Sequence, residues 1–416
     1  MAIRVYSVMA ENMEQARQAI ASVGADQAGC AWMTPKAVHR LVMLEGVRPE
    51  QANIIKQEML GKGGEAAVAR GVCNCSVPET KVLLMGTLMQ YEAFLEKLKY
   101  QPFGLAALAV RIGEVLNRQE GYRAYDLDCR GKTLRLGERT LIMGILNVTP
   151  DSFSDGGRFE DPGRAVERAW QMVDEGADII DLGGESTRPG YAPVEEEMEL
   201  ARVGPVLKRL VEELPAPVSI DTTKAGVARF ALEAGAHIIN DQWALRLDPA
   251  MAGLAAEYGA PIVLMHNKRD ISYRDLTGDI VEYLQESVDL AVTAGIGREK
   301  IIVDPGLGFG KTAGQNLEVL RRLKELRCLG LPILIGPSRK STIGKVLNLP
   351  VKERLEGTAA AVAVGIANGA DIVRVHDVKE MVRVARMTDA ILGRGENPDA
   401  RLRFSAFDKN GLLRGE

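Results

Sequence analysis

From residue 141 onward, eight short apolar runs each stop on side chains that can hydrogen-bond or carry charge. They end on Asn147, on Glu185 followed by Ser186, Thr187 and Arg188, on Asp221, on Asn240 with Asp241, on His266, on Asp304, on Ser338 with Arg339 and Lys340, and on Arg374 with His376. One or two polar run-ends would be helix N-caps, the reading that suits Asp161 and Ser272. Eight of eight are not explained by capping. Buried carboxylates and amides demand matched partners, because an unpaired buried polar group is costly. Arg, by contrast, offers a planar fork to an anion. The first run, MGILNVTPDSFSDGG (143–157), breaks into a loop of oxygen donors, hydroxyls and paired glycines.

The elements that would carry these residues alternate regularly. Strand candidates lie at 141–148, 178–185, 217–222, 237–242, 261–266, 300–306, 332–338 and 371–377. Each is short and uniformly apolar, as expected of parallel strands covered by helices. Segments such as DPGRAVERAWQMVDEG and KAGVARFALEAG between them have helical spacing, with Gly just past the end. Eight β/α units in roughly 250 residues predict an α/β fold of the (β/α)8 TIM-barrel kind, whose active sites form at the C-terminal strand ends. No strand is followed by G-x-G-x-x-G, which disfavours an open doubly wound sheet. YDLDCRGKTLRLGERT (125–140) reads as a β-hairpin around Arg130-Gly131 that plugs the barrel floor.

Residues 1–120 read as a separate small α/β domain of unknown role, and 121–416 as the barrel domain. Strand candidates RVYSV, RLVMLEG and KVLLMG alternate there with helical stretches EQARQAIASV, PEQANIIKQEMLGKGGEAAVA and MQYEAFLEKLKYQPFGLAALAVRIGEVL. The domain shows no phosphate loop or catalytic cluster, and packing or dimer contacts are its expected use. Lys plus Arg number 52 against 56 Asp plus Glu, a net charge of −4, which leaves no basic excess for a nucleic acid. No signal peptide or membrane-length apolar run is visible, so the expectation is cytoplasm and no membrane partner. The five cysteines suit reduced thiols, and Cys73 and Cys75 lack the further ligands a metal site needs.

Taken in order, MGILNVTPDSFSDGG, DLGGESTRPG, SIDTTK, IIND, VLMH, DPGLGFGK, GPSRKS and RVHD closely resemble the dihydropteroate synthase family over about residues 124–395. The resemblance implies joining 7,8-dihydropterin-6-ylmethyl diphosphate to 4-aminobenzoate with release of diphosphate, in folate biosynthesis. It implies that Asp221, Asn240, Asp304 and Lys340 hold the pterin, with Met265 and Phe309 as apolar faces and Thr187, Arg374 and His376 also on the pterin diphosphate. Asn147 would ligate Mg²⁺, the expected cofactor, and Arg374 and His376 would reach the β-phosphate. Thr187, Arg188, Pro189, Phe309, Lys340 and Ser341 would surround 4-aminobenzoate.

On this reading the Thr149–Gly157 loop is a glycine-hinged lid, Asp155 and Arg188 form an ionic latch, and Phe153 excludes water. The reaction is then an SN1-like displacement, with Asp155, Arg188, Lys340, Arg374 and His376 as the catalytic set. His266 is expected to shape the site, His39 and His237 stay unassigned, and a homodimer through the last barrel helices follows from the family. Gln242 and Trp243 depart from the family pattern and are expected on the helix-entry side of their loop. The competing readings are a methyltetrahydrofolate–corrinoid methyltransferase, which has no diphosphate to expel, and a non-catalytic pterin-binding scaffold.

Overall fold

The computed structural model describes residues 3–122, 124–148, 162–185 and 194–395. The chain divides into two compact units, Met1–Gly121 and Tyr122–Glu416. In the first, α1 (Met13–Ala21) and α2 (Gln27–Ala37) precede β1 (His39–Val47), α3 (Pro49–Leu60), β2 (Glu65–Val68), β3 (Thr80–Thr87), α4 (Leu88–Leu98) and α5 (Leu105–Gln119). β3 lies between β1 and β2, antiparallel to both. Period-2 alternation decides the faces. Val42, Leu44, Val82 and Leu84 pack with Ile55, Met59, Tyr91, Phe94 and Ile112 in one core, while Leu41 and Met43 remain exposed.

Several expectations for this unit are corrected. RVYSV joins no sheet, and its Val5, Tyr6 and Val8 are exposed, because β propensity makes a strand only where a face can be buried. The GGEAAVA portion is not helical but continues through Gly63 and Gly64 into β2, paired with β3. The long stretch after Met89 is two helices, α4 and α5, separated at 99–104 by a segment holding Pro102. The helix α2 had no counterpart in the sequence reading.

The second unit opens with the expected hairpin, β4 (Tyr125–Cys129) and β5 (Lys132–Leu136). Arg130 and Gly131 form its two-residue turn, both with positive φ, as a type I′ turn requires. Eight parallel strands follow in chain order: β6 (Leu141–Asn147), β7 (Ile179–Gly183), β8 (Val218–Asp221), β9 (Ile238–Asp241), β10 (Ile262–Met265), β11 (Ile301–Asp304), β12 (Leu334–Ile335) and β13 (Ile372–Val375). β13 pairs with both β12 and β6, and a Val303–Ile333 bridge joins the remaining edges, so the sheet closes on itself. The expected (β/α)8 barrel is present. Its helices are α6 (Pro162–Glu175), α7 (Glu196–Glu213), α8 (Ala225–Glu233), α9 (Ala250–Glu257), α10 (Leu276–Thr293), α11 (Ala313–Arg321), α12 (Ser341–Leu347), α13 (Leu355–Ala367) and α14 (Val378–Ile391).

Alternation along the barrel strands builds two cores. Outward residues such as Ile180, Ile220, Ile239, Leu264, Val303 and Val373 pack against the helices. Inward residues Leu141, Ile179, Ile238, Val263, Ile302, Leu334 and Ile372 form a floor, which Leu127, Cys129, Leu134 and Leu136 of the hairpin seal from below. The hairpin is thus the barrel's plug.

Leu136 is fully buried in that floor, so Leu136→Ala is expected to destabilise the barrel by about 2–5 kcal/mol. Urea unfolding followed by barrel tryptophan fluorescence would measure it, and a loss below about 1 kcal/mol would contradict the plug.

Candidate active site

Two residues above the floor, on the same strand faces, the barrel interior turns polar. Ile179 is succeeded by Asp181, Ile238 by Asn240, Ile302 by Asp304 and Ile372 by Arg374, with Met265 above Val263. Arg374 organises the layer. Its Nε donates to Asp181 Oδ2 at 2.6 Å and its Nη2 to Asp221 Oδ2 at 2.6 Å. Asn240 Nδ2 donates to the same Asp181 oxygen at 3.1 Å. Gln242 Nε2 lies 2.6 and 2.8 Å from the two oxygens of Asp221.

Above this network opens a small pocket. Asn240, Gln242, Asp304, Lys340 and Arg374 supply polar walls, and Met265, Leu307 and Phe309 supply apolar ones. Lys340 Nζ sits 4.1 Å from the centre of the Phe309 ring. Asp304 Oδ1 accepts the Gly306 N–H at 2.7 Å. Burial pushes the Asp304 carboxyl up to about 6, against the Gly306 N–H and the charges of Lys340 and Lys311. Burial likewise pushes Asp221 upward, while Arg374 and the Gln242 amide oppose it.

The structure therefore brings Asp221, Asn240, Met265, Asp304, Phe309, Lys340 and Arg374 to one site. Asn147 ends β6 at the rim, where its Oδ1 and the Asp221 side chain both flank Gly183. His376 follows β13, its Nδ1 2.9 Å from Ser338 Oγ and its carbonyl bonded by Arg168. Ser341 is exposed as the first residue of α12. Arg374 spends two of its nitrogens on carboxylates of the barrel interior, an arrangement the sequence reading did not anticipate. Phe153, Asp155, Thr187, Arg188 and Pro189 lie outside the described residues.

Gln242 corrects one expectation outright, since it faces the pocket and holds Asp221 instead of sitting on the helix-entry side. Asp181 was missed, although a lone carboxylate two residues past Ile179 in an apolar run signals an inward position. His266 is buried and held neutral. Its Nδ1 lies 2.8 Å from Lys311 Nζ, so burial and that cation both lower its pKa. His237 accepts the Val218 N–H at 3.1 Å and serves packing, and His39 is exposed at the start of β1.

A closed barrel whose C-terminal mouth gathers carboxylates, an amide and cations around a small pocket defines a small-molecule enzyme of the TIM-barrel class. A family model described as "Pterin binding enzyme" matches residues 143–376, and the chain belongs to that family. The dihydropteroate synthase of Clostridium beijerinckii is 55% identical over 264 residues, 63% of this chain and 98% of its own. The crystal structure of the Clostridium difficile dihydropteroate synthase with pteroic acid has 56% identity and a TM-score of 0.61, covering 62% of this chain and 98% of that one. A probable bifunctional folylpolyglutamate synthase/dihydropteroate synthase of Halobacterium salinarum is 44% identical over 387 residues, 91% of this chain and 46% of its own length. The activity here is that of a dihydropteroate synthase, a transferase of folate biosynthesis.

A carboxyl with a higher pKa folded than unfolded keeps extra protons in the native state, so Asp304 favours folding on acidification from about 6 toward 4 and imposes a fixed penalty above 6. Asp304→Asn is expected to stabilise the ligand-free protein by on the order of 1–3 kcal/mol near pH 8, with the gain shrinking toward pH 4. Urea titrations at both pH values would test this, and a pH-independent difference would contradict it.

Proposed function

We propose that the interior layer holds the pterin ring of 7,8-dihydropterin-6-ylmethyl diphosphate through Asp221, Asn240, Asp304 and Lys340, with Met265 and Phe309 against its faces. The observation that carries this reading is the convergence of Asn240, Asp304, Lys340 and Arg374 on one small pocket. Buried carboxylates and amides discriminate strongly, because a mismatched ring leaves them unpaired. Gln242 joins the set by orienting Asp221.

Asn147 would supply one oxygen to Mg²⁺. A lone amide oxygen fits a hard cation that keeps waters and takes substrate phosphate oxygens. Among the described residues no group of three His, Cys, Asp or Glu could cage a metal. Bound there, Mg²⁺ would neutralise charge on the diphosphate. His376 and Arg374 are assigned to the β-phosphate side, with Nη1 the Arg374 nitrogen outside its two carboxylate bonds.

The C–O bond to diphosphate then breaks with the electron pair leaving on oxygen, and the pterin nitrogens delocalise the resulting cation. The 4-aminobenzoate amine donates its lone pair to the methylene carbon and afterwards loses a proton to solvent. Phe309, Lys340 and Ser341, with Thr187, Arg188 and Pro189, are assigned to 4-aminobenzoate, and Asp155 with Arg188 to the latch over it. The Clostridium difficile relative, solved with pteroic acid, supports one site for both halves of the product. A corrinoid methyltransferase would need no diphosphate site.

Three further assignments accompany this one. Exposed Val364 on α13 and Met387 and Ile391 on α14 support a homodimer through the last barrel helices. No helix among the described residues is long and apolar enough to cross a membrane, in keeping with a cytoplasmic assignment. The first unit is assigned to contacts, and the length of the Halobacterium alignment carries it well into that unit.

Diphosphate release from the pterin diphosphate should require both Mg²⁺ and 4-aminobenzoate, and Asn147→Ala should lower kcat/KM about 10²-fold, partly recovered at high Mg²⁺. Release of diphosphate without any pteroate product would sink the assignment. Removing residues 1–120 should leave turnover within about threefold of the full chain; complete loss from a folded barrel, judged by circular dichroism, would overturn the contact role.

A further inference from the structure

The loop Asp304–Lys311 carries Phe309 into the pocket, and its glycines fix where it runs. A Cβ on Gly306 would lie 2.0 Å from the His266 carbonyl oxygen, and one on Gly310 would lie 2.4 Å from that of Lys268. Both residues have positive φ. The loop is thus pressed against the chain leaving β10 at two points. Tyr273 Oη donates to Gly310 O at 2.7 Å, and Asn316 Oδ1 accepts the Gly308 N–H at 2.7 Å.

At the centre of this turn is Lys311, a residue of the DPGLGFGK motif that the proposed reaction leaves without a role. Its ammonium lies 2.8 Å from His266 Nδ1 and donates to Gly306 O and Phe309 O, each at 3.1 Å. Three donors meet three acceptors, which is the full capacity of an ammonium. With Lys311 as donor, His266 Nδ1 is the acceptor and its proton resides on Nε2. Gly306 O also accepts the Phe309 N–H, so both backbone polar groups of Phe309 are tied into one knot. Burial pushes the Lys311 pKa down to about 7, with Lys268 and Lys340 adding repulsion and Asp304 opposing them. A cation at such a place is costly, and the three acceptors offset that cost.

We propose that Lys311 is a positioning residue: by joining the end of β10 to the Phe309 backbone it holds the Phe309 ring against Lys340 and so sets the affinity for 4-aminobenzoate. It touches no reacting atom. The inference rests on the assignment of Phe309 to the aminobenzoate side, and its test separates the two.

Lys311→Met keeps the stem and removes the donors. In the full chain with Mg²⁺, it should raise KM for 4-aminobenzoate about tenfold while kcat and the KM for pterin diphosphate stay within about threefold. Hydrogen exchange of the 304–312 segment in the ligand-free protein should quicken. In a Phe309→Ala background the same change should have little further effect on aminobenzoate KM, because the ring it positions is gone. An aminobenzoate KM unchanged by Lys311→Met where Phe309→Ala raises it would overturn the proposal. So would equal inflation of both KM values, or full additivity of the two substitutions. If Phe309→Ala itself leaves aminobenzoate KM unmoved, the pocket assignment has failed instead. Exchange then decides: faster exchange at 304–312 supports the clamp, and unchanged exchange refutes it.

Discussion

The guanidinium of Arg374 lies inside the barrel between Asp181 and Asp221, 2.6 Å from an oxygen of each. Placing three charges there removes each from water, a penalty of several kcal/mol per ion that only close geometry and further hydrogen bonds can repay. Those further bonds are visible in Asn240 on Asp181 and Gln242 on Asp221. Removing any one partner would leave a buried charge uncompensated, so the layer behaves as a unit. It also requires an immobile frame beneath it, and the apolar floor with its hairpin plug provides one.

The layer is nevertheless incomplete by itself. Asp181 Oδ1, Ser219 Oγ and Gln242 Oε1 are buried with no hydrogen-bond partner among the described residues. Native interiors rarely leave such atoms unmatched, and each costs about 1–3 kcal/mol. Asp181 and Gln242 belong to the layer that lines and underlies the pocket, where ordered water or a ligand edge can complete their hydrogen bonding. The stability cost is carried by two continuous apolar cores, one outside the strands and one below the pocket. The frame is thus over-stabilised where no chemistry occurs and under-satisfied where ligand binds.

The barrel was legible because parallel strands buried on both faces read as apolar runs, and eight such runs alternating with amphipathic segments leave few folds to choose from. Asp221, Asn240 and Asp304 were legible because each terminates its run. Asp181 escaped because it lies in the middle of a run, where only the strand's inward parity, and not its end, reveals the role. Gln242 was noticed and misplaced for a different reason. It lies one residue past β9, where period-2 geometry stops and the turn through Ala244 and Leu245, both at positive φ, decides direction. RVYSV shows the converse limit, since strong strand formers without a sheet to join stay outside any strand and exposed. Lys311 could not have been placed from sequence, because its three acceptors include two carbonyls whose directions depend on the path of the glycine loop.

Charge balance explains how a chain with net charge −4 can handle a diphosphate ester. In and around the pocket, burial pushes the carboxyls of Asp221 and Asp304 up and the ammonium of Lys311 down, so these groups give up part of their charge, while Arg374 stays a cation between Asp181 and Asp221. Such an interior suits a neutral ring that needs both donors and acceptors. On the proposed assignment, diphosphate charge falls to Asn147 and His376 at the ends of adjacent strands β6 and β13, together with Arg374. On that assignment one small mouth holds the uncharged heterocycle and the highly charged diphosphate at different depths. A pocket with surplus cations would bind diphosphate too well to let it go, and one with surplus carboxylates would repel the substrate before the ring could seat.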